Sequence, residues 1–235
     1  MKRTYTSGLV MLAFIVAVSS ARATILNFDL NNTFVSGDPI PQAYGDFVSG
    51  GGPDGVADSY DVSNGTTPNI SLSYAALHDS GQSTPTGFRY WNDAEWPEVA
   101  YLFTHPADDV PSLRLFELTF TPDAGYGVLI NSFLLDDYAS YMVGIPHTVD
   151  WSVRAGLTVL LSGTASVPSA GATSVTTGMS APHFGTLTLR LHHSAGDRED
   201  LALDNVSFNQ IPEPSVALLT ALGGLMLCVR RRRRS

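Results

Sequence analysis

The sequence predicts an all-β protein, an antiparallel β-sandwich over residues 24–210 with an apolar helix at either end. Three observations predict it. Between Ile25 and Phe208 apolar residues recur at every second position in short runs, the period of a strand buried on one face. Gly, Pro and Asn clusters separate these runs, as hairpin and sandwich turns require. Outside the termini no amphipathic helix exceeds two turns, with Asp93 to Ala100 as the one stretch compatible with a helix.

The first element, Met1 to Ala23, reads as a secretory signal peptide. Lys2 and Arg3 form its charged start, and Gly8 to Val18 is an apolar run of 11 residues, too short to span a bilayer. Ala21-Arg22-Ala23 has the small-x-small pattern that signal peptidase cuts, so Thr24 is the expected mature N-terminus.

The strands follow. Ile25 to Leu30 places Leu26, Phe28 and Leu30 on one face. Asn31 to Tyr60 is rich in Gly, Pro, Ser and Asp and reads as a long loop holding a short strand at Tyr44 to Val48. Asn69 to Tyr74 aligns Ile70, Leu72 and Tyr74, and Leu113 to Thr121 aligns Arg114, Phe116, Leu118 and Phe120. Gly127 to Leu135 sets Leu129, Phe133 and Leu135 against Val128, Ile130 and Leu134. Thr148 to Arg154 aligns Val149, Trp151 and Val153, and Leu157 to Gly163 follows after a turn. Val167 to Gly178 is small and polar and reads as a hairpin. Gly185 to His192 aligns Leu187, Leu189 and Leu191, and Asp200 to Phe208 closes the domain. Two facing sheets would bury the aligned sides.

Charge is distributed unevenly. From Thr24 to Glu213 the only basic residues are Arg89, Arg114, Arg154, Arg190 and Arg198, against 22 acidic residues, a net charge of −17 with no lysine. Such a surface repels phosphate backbones, which excludes nucleic-acid binding. The sole cysteine, Cys228, lies in the C-terminal apolar run, so no intramolecular disulfide forms and the core alone must stabilise the fold.

The last segment, residues 211–235, is the most specific. Pro212 and Pro214 keep Ile211 to Pro214 extended. Residues 216–229 carry no charge and would form a transmembrane helix about 21 Å long at about 1.5 Å per residue. That is shorter than a hydrocarbon core of about 30 Å; snorkelling arginines and local thinning close part of the gap. Arg230, Arg231, Arg232, Arg233 and Arg234 then stop translocation on the cytoplasmic side. The order Pro212-Glu213-Pro214, apolar helix, arginine cluster resembles the PEP-CTERM sorting tail. That resemblance implies a diderm bacterium, residence in the inner membrane, recognition by an exosortase, and transfer of the exported part to the cell surface or the exopolysaccharide matrix.

The opening Ile25-Leu26-Asn27-Phe28-Asp29, the run Gly127 to Tyr138 and the closing Leu203-Asp204-Asn205-Val206-Ser207-Phe208 resemble jelly-roll domains of the galactose-binding type. Two ligand classes follow as expectations. Tyr90, Trp91 and Trp96, in an aromatic cluster with Asn92, Asp93 and Glu95, are candidates for stacking on sugar rings. Asp29 and Asp204, on the first and last strands, are candidates for a structural calcium ion, a place the resemblance implies. Catalysis finds no support. The six histidines are scattered, no His-Glu-x-x-His or Gly-x-Ser-x-Gly occurs, and Gly50 to Gly55 lacks the Lys of a phosphate loop. The reading is a non-catalytic exported protein; a glycan-binding module and a glycan-active hydrolase are the alternatives.

Overall fold

The computed structural model describes residues 23–28, 37–49, 52–53, 61–62, 65–78, 83–84, 88–91, 99–102, 113–137, 146–168, 171–193 and 201–213. The signal residue Ala21, Asp29, Trp96, Pro214, the expected membrane helix 216–229 and Arg230 to Arg234 lie outside them.

Described strands are β1 (Thr24–Leu26), β2 (Val48–Ser49), β3 (Gly52–Pro53), β4 (Asp61–Val62), β5 (Thr66–Thr67), β6 (Ile70–His78), β7 (Ser83–Thr84) and β8 (Phe88–Trp91). They continue as β9 (Val99–Leu102), β10 (Leu113–Pro122), β11 (Tyr126–Asp137), β12 (His147–Ala155), β13 (Thr158–Val167), β14 (Thr173–Thr176), β15 (Leu187–His193) and β16 (Leu201–Pro212). One sheet runs β14-β11-β16-β9-β8, with β1 also on β16; the other runs β13-β12-β15-β10-β6-β7. The pairings within both are antiparallel. β2-β5 and β3-β4 are small ribbons. The all-β, two-sheet expectation therefore holds.

The core lies between the sheets and follows the predicted alternation. Ile70, Leu72, Tyr74 and Ala76 from β6 and Phe116, Leu118 and Phe120 from β10 are buried. So are Val149 and Val153 from β12 and Leu187, Leu189 and Leu191 from β15. They meet Val128, Ile130, Phe133, Leu135, Val206 and Phe208 of the first sheet. Phe120 and Phe208 touch across the sandwich edge to face, with ring centroids 5.0 Å apart.

Strict alternation fails at the centre of the first sheet. β11 buries Val128 and Ile130, then Phe133 and Leu135, so the inward face changes phase around Asn131. The expected alignment of Leu129 with Phe133 is thus corrected. β16 changes phase opposite, from Leu201 and Leu203 to Val206 and Phe208, and the β11–β16 register slips between Ile130 and Leu134. Such bulges bend a strand and re-aim its side chains. Asn205 takes the left-handed conformation there (φ 47°), which asparagine tolerates better than most residues.

Three further expectations change. Tyr44 lies in a turn, not in a strand: of that stretch only Val48 is extended, pairing as β2 with Ser49 beyond it. Its phenol oxygen instead accepts a hydrogen bond from Phe28 N at 2.8 Å, holding Phe28 at φ 53°. Tyr74 Oη donates to Tyr44 O at 2.7 Å, so the turn is fastened to the core from both sides. Val99 and Ala100, at the end of the stretch compatible with a helix, belong to strand β9. Finally, β13 and β14 do not form a hairpin. β14 pairs with β11, so the chain crosses from one sheet to the other between them.

Candidate binding face

Tyr90, expected to stack on a sugar, is 1% exposed and faces the core, so it offers no ring to a ligand. The alternation Phe88, Tyr90 within β8 is the signal of an inward face, and the pair extends the aromatic core through Tyr74 and Phe116. Trp91 lies on β8 by its backbone; its side chain, like Trp96, is outside the described residues. The expected neighbourhood of the first and last strands does occur: Thr24 pairs with Phe208 and Leu26 with Val206. Within it Asp204 turns its two carboxylate oxygens onto Asn205, accepting from the backbone N at 2.6 Å and from Nδ2 at 2.7 Å. Among the described residues no three metal-ligating side chains cluster.

A different surface gathers polar chemistry. On the outer side of the second sheet, antiparallel pairing sets residues in rows across β13, β12, β15 and β10. One row is Thr164, Asp150, His192 and Leu115; the next is Ser162, Ser152, Arg190 and Glu117; Arg154, Thr188 and Thr119 follow. These are the residues opposite in phase to the buried valines and leucines, which is why they share one face. An open trough of about 600 Å³ runs over the face, lined by Asp150, Ser152, Arg154, Ser162, Thr164, Arg190 and His192. Leu115 and Val159 add apolar surface, and Trp151 and Gly163 also border it.

The polar groups are held in different ways. Arg190 Nε donates to Glu117 Oε1 at 2.6 Å, and its Nη2 ion-pairs with the same oxygen. Thr164 Oγ1 donates to Asp150 Oδ1 at 2.8 Å. Arg154 Nε is buried and has no hydrogen-bond partner among the described residues. Arg154 sits where the β12–β13 register slips, after Val153, so the bulge sets its direction. Trp151 forms the support beneath: its indole lies over Gly163 on the neighbouring strand and meets Phe133 of the opposite sheet edge to face, 6.1 Å between centroids.

Sequence reasoning read β12, β13 and β15 as strands but drew no site from them. Their polar positions looked like ordinary solvent-facing residues, and only non-local pairing brings them together.

The expected sorting stretch starts at the end of the last described strand. Pro212 is the last residue of β16 and pairs with Tyr126; Glu213 N donates to Gly125 O at 2.7 Å. Pro212 and Glu213 are both exposed. At the other end Thr24 is fully buried, and its hydroxyl is 2.9 Å from that of Thr67. Among the described residues no helix is long and apolar enough to cross a membrane.

No family model and no curated protein matches the chain. Several solved structures overlap part of it. A Stig cyclase from Fischerella sp. TAU, solved with an indole compound, is 16% identical with a TM-score of 0.37, covering 81% of this chain and 99% of its own. CBM51 from Clostridium perfringens GH95, solved with methyl-galactose, is 12% identical with a TM-score of 0.29, covering 57% of this chain and 79% of its own. An α-L-arabinofuranosidase, MgGH51, is 12% identical with a TM-score of 0.33, and the chain spans only 22% of its length.

Proposed function

We propose that this chain is an exported protein sorted through its C-terminal tail, and that its sandwich is a non-catalytic module contacting exopolysaccharide. Signal peptidase removes residues 1–23 and releases Thr24. The apolar helix and arginine block hold the chain in the inner membrane until an exosortase acts at Pro212-Glu213-Pro214. The product then joins the cell surface or matrix of a diderm bacterium. The fold is read as a jelly roll of the galactose-binding type, a reading favoured by the opening strand lying against the closing one.

One observation carries the sorting reading. The last described strand ends at Pro212, the first residue of the motif, and Pro212 and Glu213 are both exposed.

The trough supports the polysaccharide reading over a hydrolase. Its hydroxyls and charged groups suit sugar hydroxyls. Asp150 is the carboxylate in its lining, and the nearest acidic partner on the same face is Glu117, outside it. Glu117 and Asp150 stand two strands and two residues apart, about 12 Å between Cα atoms at strand spacings of about 4.8 Å. Glu117 is turned onto Arg190 and Asp150 accepts from Thr164. Affinity electrophoresis of the protein in gels cast with a panel of polysaccharides tests this reading. Retardation by at least one without turnover is expected; no retardation by any, or release of reducing sugar, would overturn it.

A further inference from the structure

The trough also indicates which kind of polysaccharide. From Thr24 to Glu213 the chain has only five cationic side chains against 22 acidic ones. Two of the five, Arg154 and Arg190, line this one trough, joined by His192. Arg89, in contrast, is used structurally, donating through Nη1 to Gly37 O at 2.7 Å.

Arg154 and Arg190 are diagonal neighbours. Arg190 is opposite Ser152, two residues along β12 from Arg154. Their Cα atoms are therefore about 7–8 Å apart, within reach of one small group for side chains of this length. Glu117 grips Arg190 through Nε and Nη2, leaving the other Nη hydrogens to point elsewhere. This pairing fixes the guanidinium plane. Arg154 lines the trough as well, with its Nε buried beneath the surface. A planar carboxylate placed between the two would match a guanidinium fork, which prefers paired acceptor oxygens. Ser152, Ser162 and Thr164 beside it offer hydroxyls to neighbouring sugar hydroxyls.

The rest of the domain limits the ligand further. Residues 24–213 carry −17 and repel a dense polyanion. Repulsion fades beyond a Debye length of about 8 Å at physiological salt. A glycan whose carboxylates are isolated between neutral sugars therefore suits the trough, and a polyuronate does not.

We infer that this trough is a binding site for a uronic-acid branch or residue of a mainly neutral polysaccharide, with Arg154 and Arg190 holding its carboxylate, an inference that rests on the polysaccharide reading above.

The test compares glucuronoxylan with the same polymer after carboxyl reduction, using the purified full chain in affinity electrophoresis. Wild type should bind the acidic polymer at least tenfold more tightly than the reduced one. Arg154→Gln should remove that preference, leaving the reduced polymer bound as before; Arg154→Lys should restore part of it, with circular dichroism confirming folded protein in both. Equal binding of the two polymers by wild type would overturn the carboxylate site while leaving polysaccharide binding intact. Binding of neither polymer, with a neutral polysaccharide from the panel still retarding the protein, would also overturn it. Failure of every polysaccharide would overturn both. Complete displacement of glucuronoxylan by 1 mM inorganic phosphate would show a simple anion site and likewise overturn the assignment.

Discussion

Replacing Gly163 by alanine tests how the floor of the trough is held. Gly163 lies across from Trp151 in the β12–β13 ladder, and the indole covers its backbone. A Cβ at this position would come within 2.7 Å of Trp151 Cζ2, 2.8 Å of Cε2 and 2.9 Å of Nε1. Carbon atoms rest at about 3.5–4.0 Å, so the ring would have to withdraw by about 1 Å. It cannot do so freely, because Phe133 meets its other side. Overpacking of this kind costs about 1–3 kcal/mol. For a domain of this size, a loss of about 2 kcal/mol lowers Tm by about 4–8 °C. Thermal unfolding followed by circular dichroism reads the shift, and Trp151→Leu supplies the control. With the indole gone, Gly163→Ala should cost almost nothing, giving a coupling of about 2 kcal/mol in the double-mutant cycle. A Gly163→Ala protein melting within 1 °C of wild type, or an equal cost in both backgrounds, would refute the packing argument.

Other perturbations report on different parts of the molecule. Tyr44→Phe removes the acceptor for Phe28 N, leaves that buried donor unpaired and should cost about 1–3 kcal/mol in chemical denaturation; an unchanged midpoint would show that the turn is not fastened this way. Asp46 is pushed above the usual carboxylate value of 3.8 by burial, partly offset by the hydrogen bond it accepts from Leu72 N. A raised carboxyl favours folding when protonated, so its contribution is complete below pH 3.8 and lost as pH rises through its folded value. Asp46→Asn should therefore raise Tm relative to wild type at pH 7, with the gain shrinking as pH falls toward 3.8; a gain that grew on acidification would contradict the sign. Both oxygens of Asp204 already accept from Asn205, so a chelator should leave the melting midpoint unchanged. A clear drop would instead support the calcium site expected at Asp29 and Asp204.

Local pattern carried most of the architecture into view. β6, β10, β12 and β15 bury the residues that period two assigns them, because a strand covered on one face leaves that mark in any short window. β11 and β16 broke the pattern midway, since a bulge is a negotiation between two strands and Asn131 alone does not announce it. β8 was legible in principle: Phe88 and Tyr90 alternate with Arg89, and the aromatic cluster drew attention to ligand stacking instead of burial. Tyr44 hid differently, because its partner Phe28 N lies outside its own stretch and a turn supplies no period. The trough was not legible at all. Arg154 and Arg190 are 36 positions apart, and only the register of β12 against β15 makes them neighbours.

The central claim concerns the tail, and the mass of the secreted protein tests it most directly. In a host carrying an exosortase, the product recovered outside the inner membrane should have lost Arg230 to Arg234, while a host without the enzyme should keep them on membrane-held protein. Secreted product whose intact mass still includes all five arginines would contradict the account.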